Sequence, residues 1–402
     1  MEIIETEAKL VLETHKRILG RIRSYNSVRI ICNNDADGLV AAHFFYRCLT
    51  KLGVGRTRLT LRGYRRPVTP KNSRTLHAYL DLKPSHHWEN TVCIDHHGTN
   101  EVNPKKCFVN YSTEQTPFTT GLLTYLLLCQ LENSPLLRWW VEDQHNIDYL
   151  YSSASPKDKE AIMISYACDH LPLLGGFATP HPLIERWEKQ LTCEVPPTVS
   201  SLILSLDRWV AKEFVVERVP PYPDRVTQRI TRFYSLIFTI HNLIGATPPN
   251  VCPAILIDPQ PRIHVRGILS TYLYALGLKN FVFERKKAGV FVGSFRYPEE
   301  ELRSFVEKLR LGARVNLGHG QTWATTQPRD GDSLEIGGRP GYMFIRRATY
   351  KQLDKLLSSD GVVLPVKIRG DLLNDTILTV SSPHQQLESI RLQYEDHRWT
   401  QR

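Results

Sequence analysis

The chain has 402 residues, of which 42% are hydrophobic and 23% are charged, and its formal net charge at neutral pH is +10. These values are typical of a globular protein with two or three domains, and the sequence contains no internal repeat and no low-complexity tract. The excess of basic residues favours an anionic partner, and nucleic acid and small phosphorylated substrates satisfy it equally well. The eight cysteines are scattered without a Cys-x-x-Cys pair, which indicates a reduced, cytoplasmic protein rather than a zinc site or a disulfide framework.

The first predicted elements are a helix and a strand. Apolar residues recur at helical spacing from Glu2 to Arg23, which predicts a helix packed on the first domain, and the charges among them argue against a signal peptide or a membrane span. The apolar run from Val28 to Cys32 predicts a buried strand, and a second helical pattern begins at Leu39.

Two carboxylates lie between this strand and the second helix, in the stretch Asn33-Asn34-Asp35-Ala36-Asp37-Gly38. On an extended strand end, residues two apart point to the same side, so the side chains of Asp35 and Asp37 would lie on one face. Gly38 would allow a tight turn into the helix. Like charges this close repel unless a cation lies between them. The alternative is a solvated turn in which Asp acts as a helix cap.

Further acidic residues and histidines follow other predicted strand or helix ends. Asp81 lies in the short strand Tyr79–Leu82, the triplet Asp95-His96-His97 follows the strand Val92–Ile94, and Asp169 follows the apolar Ile162–Ile164. Because ligands gather at the carboxyl ends of strands in α/β sheets, we expect these side chains to meet. Carboxylates with imidazole suit Mn²⁺, and so many acids suggest two ions that clamp a phosphate.

The segment from Arg56 to Arg74 is rich in Arg and Lys. It is interpreted either as a surface that tracks phosphates, since Arg binds phosphate with two parallel hydrogen bonds, or as a solvated loop. Farther along, Thr119-Thr120-Gly121 leads into an apolar stretch from Leu122 to Leu131, which predicts a buried helix.

The second half of the chain predicts a connector helix from Arg225 to Leu243 and then a smaller α/β domain. Its predicted strands are Ala254–Ile257, Phe281–Phe283 and Val290–Gly293, with a helix from Gly267 to Leu276. Two strand-like stretches at 364–368 and 377–380 follow in the tail, which either completes this domain or forms a small appendage. The predicted fold class is therefore α/β, with a larger N-terminal domain built on a mostly parallel sheet, a connector helix and a smaller C-terminal α/β domain. The expected boundaries are 1–222 for the first domain, 223–249 for the connector and linker, 250–345 for the second domain and 346–402 for a C-terminal extension.

At this point the sequence resembles the DHH phosphoesterase superfamily, in its RecJ-like branch. The motifs that carry the resemblance occur in the family's order: Asp35-Ala36-Asp37-Gly38, the single Asp81, Asp95-His96-His97, and Ala167-Cys168-Asp169-His170-Leu171-Pro172-Leu173 with one inserted position. In the second domain, Ser294-Phe295-Arg296 and Gly318-His319-Gly320 partly match the family's substrate-binding motifs.

The resemblance implies a role for each of these residues. Two divalent ions, Mn²⁺ in preference to Mg²⁺, would be held by Asp35, Asp37, Asp81, His96 and Asp169, with Asp81 between them. His97 would contact the scissile phosphate and Asp95 would orient the histidines. Ser294, Arg296, Gly318 and His319 would bind the substrate across a cleft between the domains.

The function implied is a metal-dependent exonuclease on single-stranded DNA or RNA. One departure from the motifs is Asn33, because many members of the family have His or Asp at that position, and a neutral amide is a weaker metal ligand. Two alternatives therefore stay open. One is an oligoribonuclease or a phosphoesterase of small nucleotides or pyrophosphate, and the other is a catalytically weakened subunit that binds nucleic acid or a replication complex.

Overall fold

The structure is a computed structural model, and the chain divides into two compact units, residues 1–223 and 224–402. In the first unit it describes residues 2–62, 74–84, 89–97, 101–112, 118–143, 147–170, 197–206 and 208–217. In the second unit it describes residue 270 and the eight strands given below.

The first unit is built on a six-stranded sheet. Its strands are β1 (Ser27–Asn33), β2 (Arg56–Arg62), β3 (Leu76–Leu80), β4 (Thr91–Asp95), β5 (Glu101–Asn103) and β6 (Phe108–Asn110). They lie in the order β2-β1-β3-β4-β6-β5, and every neighbouring pair is parallel except β5 with β6. The α/β architecture with a mostly parallel sheet is therefore confirmed for this unit.

Eight helices are described in the first unit. They are α1 (Glu2–Arg23), α2 (Ala36–Lys51), α3 (Thr120–Glu132), α4 (Leu136–Glu142), α5 (Ile147–Ser153), α6 (Pro156–His170), α7 (Pro197–Leu206) and α8 (Arg208–Val215). Helix α2 packs against β1, α3 and α6, and α1 packs against α3 and α4. The predicted helices at 2–23 and 122–131 are thereby confirmed as α1 and α3. Among the described helices, none combines the length and the apolar character that a membrane crossing requires.

Helix α3 is the most deeply buried of these elements. Its residues from Thr120 to Cys129 are all buried, which explains why its apolar residues surround the helix instead of forming a stripe. A polar residue caps each end of the helix. At the N-terminus, the Thr119 side chain accepts a hydrogen bond from the backbone N–H of Leu122 at 3.2 Å. At the C-terminus, Asn133 ends the helix in a left-handed conformation.

The first part of the cation-rich segment is a strand. Residues 56–62 form the edge strand β2, in register with β1, so the alternative of a solvated loop does not hold for these residues. The reason is the alternation of Thr and Leu with Arg in this stretch, which fits a half-exposed strand. Residues 63–73 of that segment lie outside the described residues.

The second unit contains an eight-stranded sheet. Its strands are β7 (Cys252–Ile257), β8 (Asn280–Arg285), β9 (Phe291–Arg296), β10 (Ala324–Thr325), β11 (Glu335–Arg339), β12 (Tyr342–Ala348), β13 (Val363–Arg369) and β14 (Ile377–Val380). Their order is β10-β11-β12-β9-β8-β7-β13-β14, with β7 parallel to both of its neighbours and the remaining pairs antiparallel. The strands expected near 254, 281 and 291 are confirmed. The connector helix lies outside the described residues, and of the helix expected at 267–276 only residue 270 is described, in helical conformation.

Candidate metal centre

The candidate site lies at the carboxyl ends of β1, β3 and β4. Strand β1 ends at Asn33, β3 is followed by Asp81, and β4 ends in Asp95 and is followed by both histidines. The chain passes from β1 to β2 on one side and then to β3 on the other, so the order of strands reverses at β1. In open α/β sheets this reversal opens a crevice at the carboxyl edge, where ligands bind.

Asp35 and Asp37 lie at the start of α2 and not on a strand end, so the prediction that both lie on extended backbone is wrong. Asp35 is the N-cap, and one oxygen of its carboxylate accepts a hydrogen bond from the backbone N–H of Gly38 at 3.1 Å. Asp37 belongs to the first turn of the helix. Asp35 therefore acts as a helix cap, the alternative that the sequence left open, in keeping with the strong preference of Asp for the N-cap position.

Gly38 serves close packing rather than a turn. It does not have the left-handed backbone that a glycine turn would require. A Cβ at this position would instead lie 2.8 Å from both the Cβ and the carbonyl oxygen of Asn33. Only glycine lets the first turn of α2 lie directly against the end of β1.

The Asp37 carboxylate is buried and accepts three hydrogen bonds from distant parts of the chain. One oxygen accepts from the backbone N–H of Gly121 at 2.8 Å and from the Ser165 hydroxyl at 2.6 Å, and the other from the N–H of Thr120 at 3.0 Å. These donors hold it at the N-terminus of α3, where the helix dipole favours a negative charge. None of the three donors is expected from the sequence, and the only available signal is the Thr119-Thr120-Gly121 stretch that begins α3.

Asp95 fixes the position of both histidines through one oxygen. Its Oδ1 accepts hydrogen bonds from the backbone N–H groups of His96 at 2.8 Å and His97 at 3.3 Å, and it lies 2.9 Å from Nδ1 of His97. Although burial opposes ionisation, the nearby His97 and His96 lower the pKa of Asp95. An ionised carboxylate only accepts hydrogen bonds, so the proton of the His97 ring lies on Nδ1.

His96 points its Nε2 atom at three carboxylates that come from three different elements. The nitrogen lies 3.0 Å from Asp169 Oδ2, 3.6 Å from Asp37 Oδ2 and 3.6 Å from Asp81 Oδ1. It is buried, and within the described part of the chain it makes no hydrogen bond of acceptable geometry. Burial opposes its charged form, but Asp169 and Asp37 outweigh this effect and raise the pKa of His96 to about 10.

The carboxylates around His96 repel one another. Burial and the neighbouring Asp169 raise the pKa of Asp37 to about 8. Burial and the neighbouring Asp35 raise the pKa of Asp81. A divalent cation among these oxygens would offset the repulsion, since opposite charge favours the ionised form of each carboxyl group.

The donor set fits such an ion. Two groups of residues could each hold an ion, and within each group the ligand atoms lie within 4.8 Å of one another. One group is Asp37, His96 and Asp169, and the other is Asp81, His96 and His97. Oxygen and imidazole ligands in combination suit Mn²⁺ and similar divalent ions. The buried Nε2 atom of His96 faces the carboxylates that would bind the same ion. Asp35 belongs to neither group among the described residues.

On the other side of Asp81, Asn33 lies between the carboxylates of Asp81 and Asp35. Its amide nitrogen donates hydrogen bonds to Asp35 Oδ2 and, over 3.0 Å, to Asp81 Oδ2. Thr120 donates its hydroxyl proton to the opposite oxygen of Asp81 at 3.2 Å. The residue after β3 is also unusual in its backbone, because Asp81 has a positive φ of 56°, a conformation that is uncommon outside glycine and found at functional sites.

The substrate-binding residues expected in the second unit are only partly described. Ser294 and Arg296 lie on β9, where their backbones are in register with Val282 and Asn280 of β8. Gly318 and His319 lie outside the described residues.

No protein-family profile matches this sequence, and no curated protein is significantly similar to it. Solved structures similar to the chain include exonuclease RecJ bound to manganese, at 15% identity over 87% of this chain and 92% of that one with a TM-score of 0.46. A DHH domain from a member of a family of ribosomal proteins matches at 11% identity over 89% and 91% of the two chains, with a TM-score of 0.49. CDC45 from Entamoeba histolytica matches at 8% identity over 88% and 98%, with a TM-score of 0.43.

Proposed function

We propose that this chain is a metal-dependent phosphodiesterase of the DHH kind that degrades single-stranded nucleic acid from an end, as a RecJ-like exonuclease. The observation that carries the proposal is the buried His96 Nε2, which faces Asp37, Asp81 and Asp169 at 3.0 to 3.6 Å. A buried nitrogen surrounded by carboxylates from separate elements is the arrangement expected of a divalent metal site.

When bound, a divalent ion such as Mn²⁺ supplies positive charge that stabilises a phosphoryl transition state and makes water more acidic. Asp37, Asp81, His96 and Asp169 would hold it. Asp37 and Asp81 are kept in place by the hydrogen bonds described above, so little reorganisation is needed when the ion enters.

His97 is the residue proposed to contact the scissile phosphate. Its side chain is 32% exposed, whereas those of His96, Asp81 and Asp95 are at most 8% exposed. Asp95 holds the ring through Nδ1, so the orientation of the imidazole is fixed before a substrate binds. Asp95 therefore acts as a positioning residue for His97.

Arginines near the site support a nucleic-acid substrate. Strand β2 places Arg62 in register with Asn33, and Arg56 lies at the opposite end of the strand, about 20 Å away at 3.3 Å per residue. Arg29 lies in register with Arg58. Burial is the largest cause that lowers the pKa of Arg29, and the charges of Arg58 and Arg62 lower it further. This row of like charges is unfavourable by itself and suits a polyanion that follows the strand.

The proposal includes a role for the second unit. Ser294, Arg296, Gly318 and His319 are proposed to bind the end of the nucleic acid. Arginine suits this role because its planar group binds phosphate through two parallel hydrogen bonds.

The test is hydrolysis of end-labelled oligonucleotides in Mn²⁺, from dinucleotides to long single strands of DNA and RNA, with a cyclic dinucleotide and pyrophosphate alongside. The Asp81→Asn variant keeps the shape of the side chain and removes its charge, so it controls for a contaminating nuclease. We expect progressive shortening of long single strands by the unmodified chain and none by the variant.

Other outcomes would replace the proposal. Cleavage of only the shortest oligomers would identify the chain as an oligoribonuclease. Turnover of pyrophosphate alone would identify it as a small-molecule phosphoesterase. A chain that hydrolyses nothing but binds nucleic acid would be a binding subunit, the alternative that Asn33 favours.

A further inference from the structure

The side chain of Asn33 has a defined position and orientation in the site. It is buried, and its amide nitrogen donates to one oxygen of Asp35 and one of Asp81. Its amide oxygen accepts a hydrogen bond from the backbone N–H of Asn34 at 3.0 Å. The reversed amide would lose this bond and place its oxygen against two carboxylates, so the hydrogen bonds determine the orientation.

The surrounding backbone limits the movement of this side chain. Even a methyl group on Gly38 would lie 2.8 Å from the Cβ of Asn33, so the first turn of α2 lies directly against it. Asp35, which caps the same helix, is held from the other side by the N–H of Gly38. Asn33 and Asp35 are therefore held together by the junction of β1 with α2.

The two carboxylate oxygens of Asp81 lie in different environments. Its Oδ1 atom faces the ion side, with Thr120 Oγ1 at 3.2 Å, His97 Nδ1 at 3.3 Å and His96 Nε2 at 3.6 Å. Its Oδ2 atom accepts from the Asn33 amide at 3.0 Å. In a two-ion centre the ions lie about 3.5–4 Å apart, so a carboxylate between them gives one oxygen to each. Here the second oxygen of Asp81 accepts one amide hydrogen of Asn33, in the place where a second ion would lie.

The geometry points to a centre that holds a single divalent ion, with the Asn33 amide in place of a second ion between Asp35 and Asp81. The inference rests on the proposed metal-dependent function and narrows it, because two ions are expected from the sequence. It also assigns Asp35 to holding Asn33 and capping α2 instead of binding metal.

The number of bound ions tests this inference. Mn²⁺ is titrated into the full chain by calorimetry, and the electron paramagnetic resonance spectrum of the loaded protein is recorded. The Asn33→Asp variant replaces the amide with a carboxylate of the same shape and should raise the count from one ion to two, with a spectrum that changes from isolated to spin-coupled Mn²⁺. The Asn34→Asp variant adds the same charge one residue away and should still bind one ion.

The outcomes separate this inference from the proposed function. If the unmodified chain binds two ions, the inference is wrong and the metal-dependent function stands. If it binds none and hydrolyses nothing, the proposed function itself is wrong. If the Asn33→Asp variant folds, as judged by circular dichroism, and still binds one ion, then Asn33 is not the residue that excludes a second ion. If that variant does not fold, the count for the unmodified chain decides alone.

Discussion

The Asp37 carboxylate depends on a hydroxyl group that is distant in sequence. Ser165 on α6 donates to it at 2.6 Å and also lies 2.6 Å from the Thr119 hydroxyl at the start of α3. All of these groups are buried, so water does not compete for the hydrogen bonds. Groups of this kind orient a metal ligand without touching the metal.

Replacing Ser165 tests this role. We expect Ser165→Ala to weaken Mn²⁺ binding by about 10- to 100-fold, the usual effect of removing a residue that orients a ligand. Ser201→Ala is the matched control, because Ser201 is equally buried and its hydroxyl has no hydrogen-bond partner within the described residues. Calorimetric Kd values that are unchanged in Ser165→Ala would show that Asp37 does not need this donor.

The protons on Asp37 and His96 predict a pH dependence for metal binding. Without an ion, the pKa of Asp37 is raised to about 8 and that of His96 to about 10, so both groups carry a proton near neutral pH. Because folding raises the pKa of Asp37 from 3.8, the protonated carboxyl group stabilises the ion-free fold at low pH. This stabilisation is lost as the pH rises through about 8. An ion must displace both protons, so binding strengthens as pH increases.

We expect the apparent Mn²⁺ affinity to rise by about 10- to 100-fold per pH unit between about pH 6 and pH 7, for one or two displaced protons. Calorimetry in two buffers of different ionisation enthalpy would count the protons released. An affinity that does not change with pH, with no proton release, would contradict the assignment of these two residues as ligands.

At the scale of elements, the site depends on the close approach of α2, α3 and α6. Gly121 in the first turn of α3 permits this approach, because a Cβ there would lie 2.4 Å from Ser165 Oγ and 2.9 Å from a methyl carbon of Val40. Its backbone N–H also donates to Asp37. One residue thus determines both the packing of three helices and the position of a proposed ligand.

We expect Gly121→Ala to lower the free energy of unfolding by about 1–3 kcal/mol, as overpacking of a core does. Gly20→Ala is the control, because Gly20 lies within α1 with nothing within 4 Å of the added methyl group. That change should raise stability by about 0.5–1 kcal/mol through helix propensity. Urea denaturation measures both values, and equal effects of the two substitutions would contradict the packing argument.

At the scale of the whole molecule, charge is unevenly distributed. The net charge is +10, yet buried carboxylates surround the candidate metal centre. The arginines of the edge strand β2 begin beside this centre and continue into the exposed residues 56–58. An anionic polymer could therefore be bound along the strand while one of its phosphates meets the ion.

Removing charge from this strand tests that arrangement. We expect the double variant Arg56→Gln, Arg58→Gln to weaken binding of single strands and to reduce the slope of log affinity against log salt by about 0.7 for each phosphate that the variant no longer neutralises. Hydrolysis of a dinucleotide should be unaffected. Arg138→Gln is the control, because Arg138 is exposed on α4 and already paired with Glu142. An unchanged salt slope in the double variant would exclude β2 from the binding surface.

The sequence by itself determined the α/β class of the first unit, most of its central strands and the identity of the acidic residues and histidines that meet. These features depend on neighbouring residues, since apolar runs mark buried strands and polar motifs follow their ends. Tertiary structure alone decided which atom faces which. Thr120 and Ser165 are separated from Asp37 by 83 and 128 residues, and no local pattern links them. The same holds for Asn33, whose sequence position shows only a missing ligand. The donation of its amide to Asp35 and Asp81 follows from the packing of β1, β3 and α2, because hydrogen-bond partners distant in sequence are chosen by the fold as a whole.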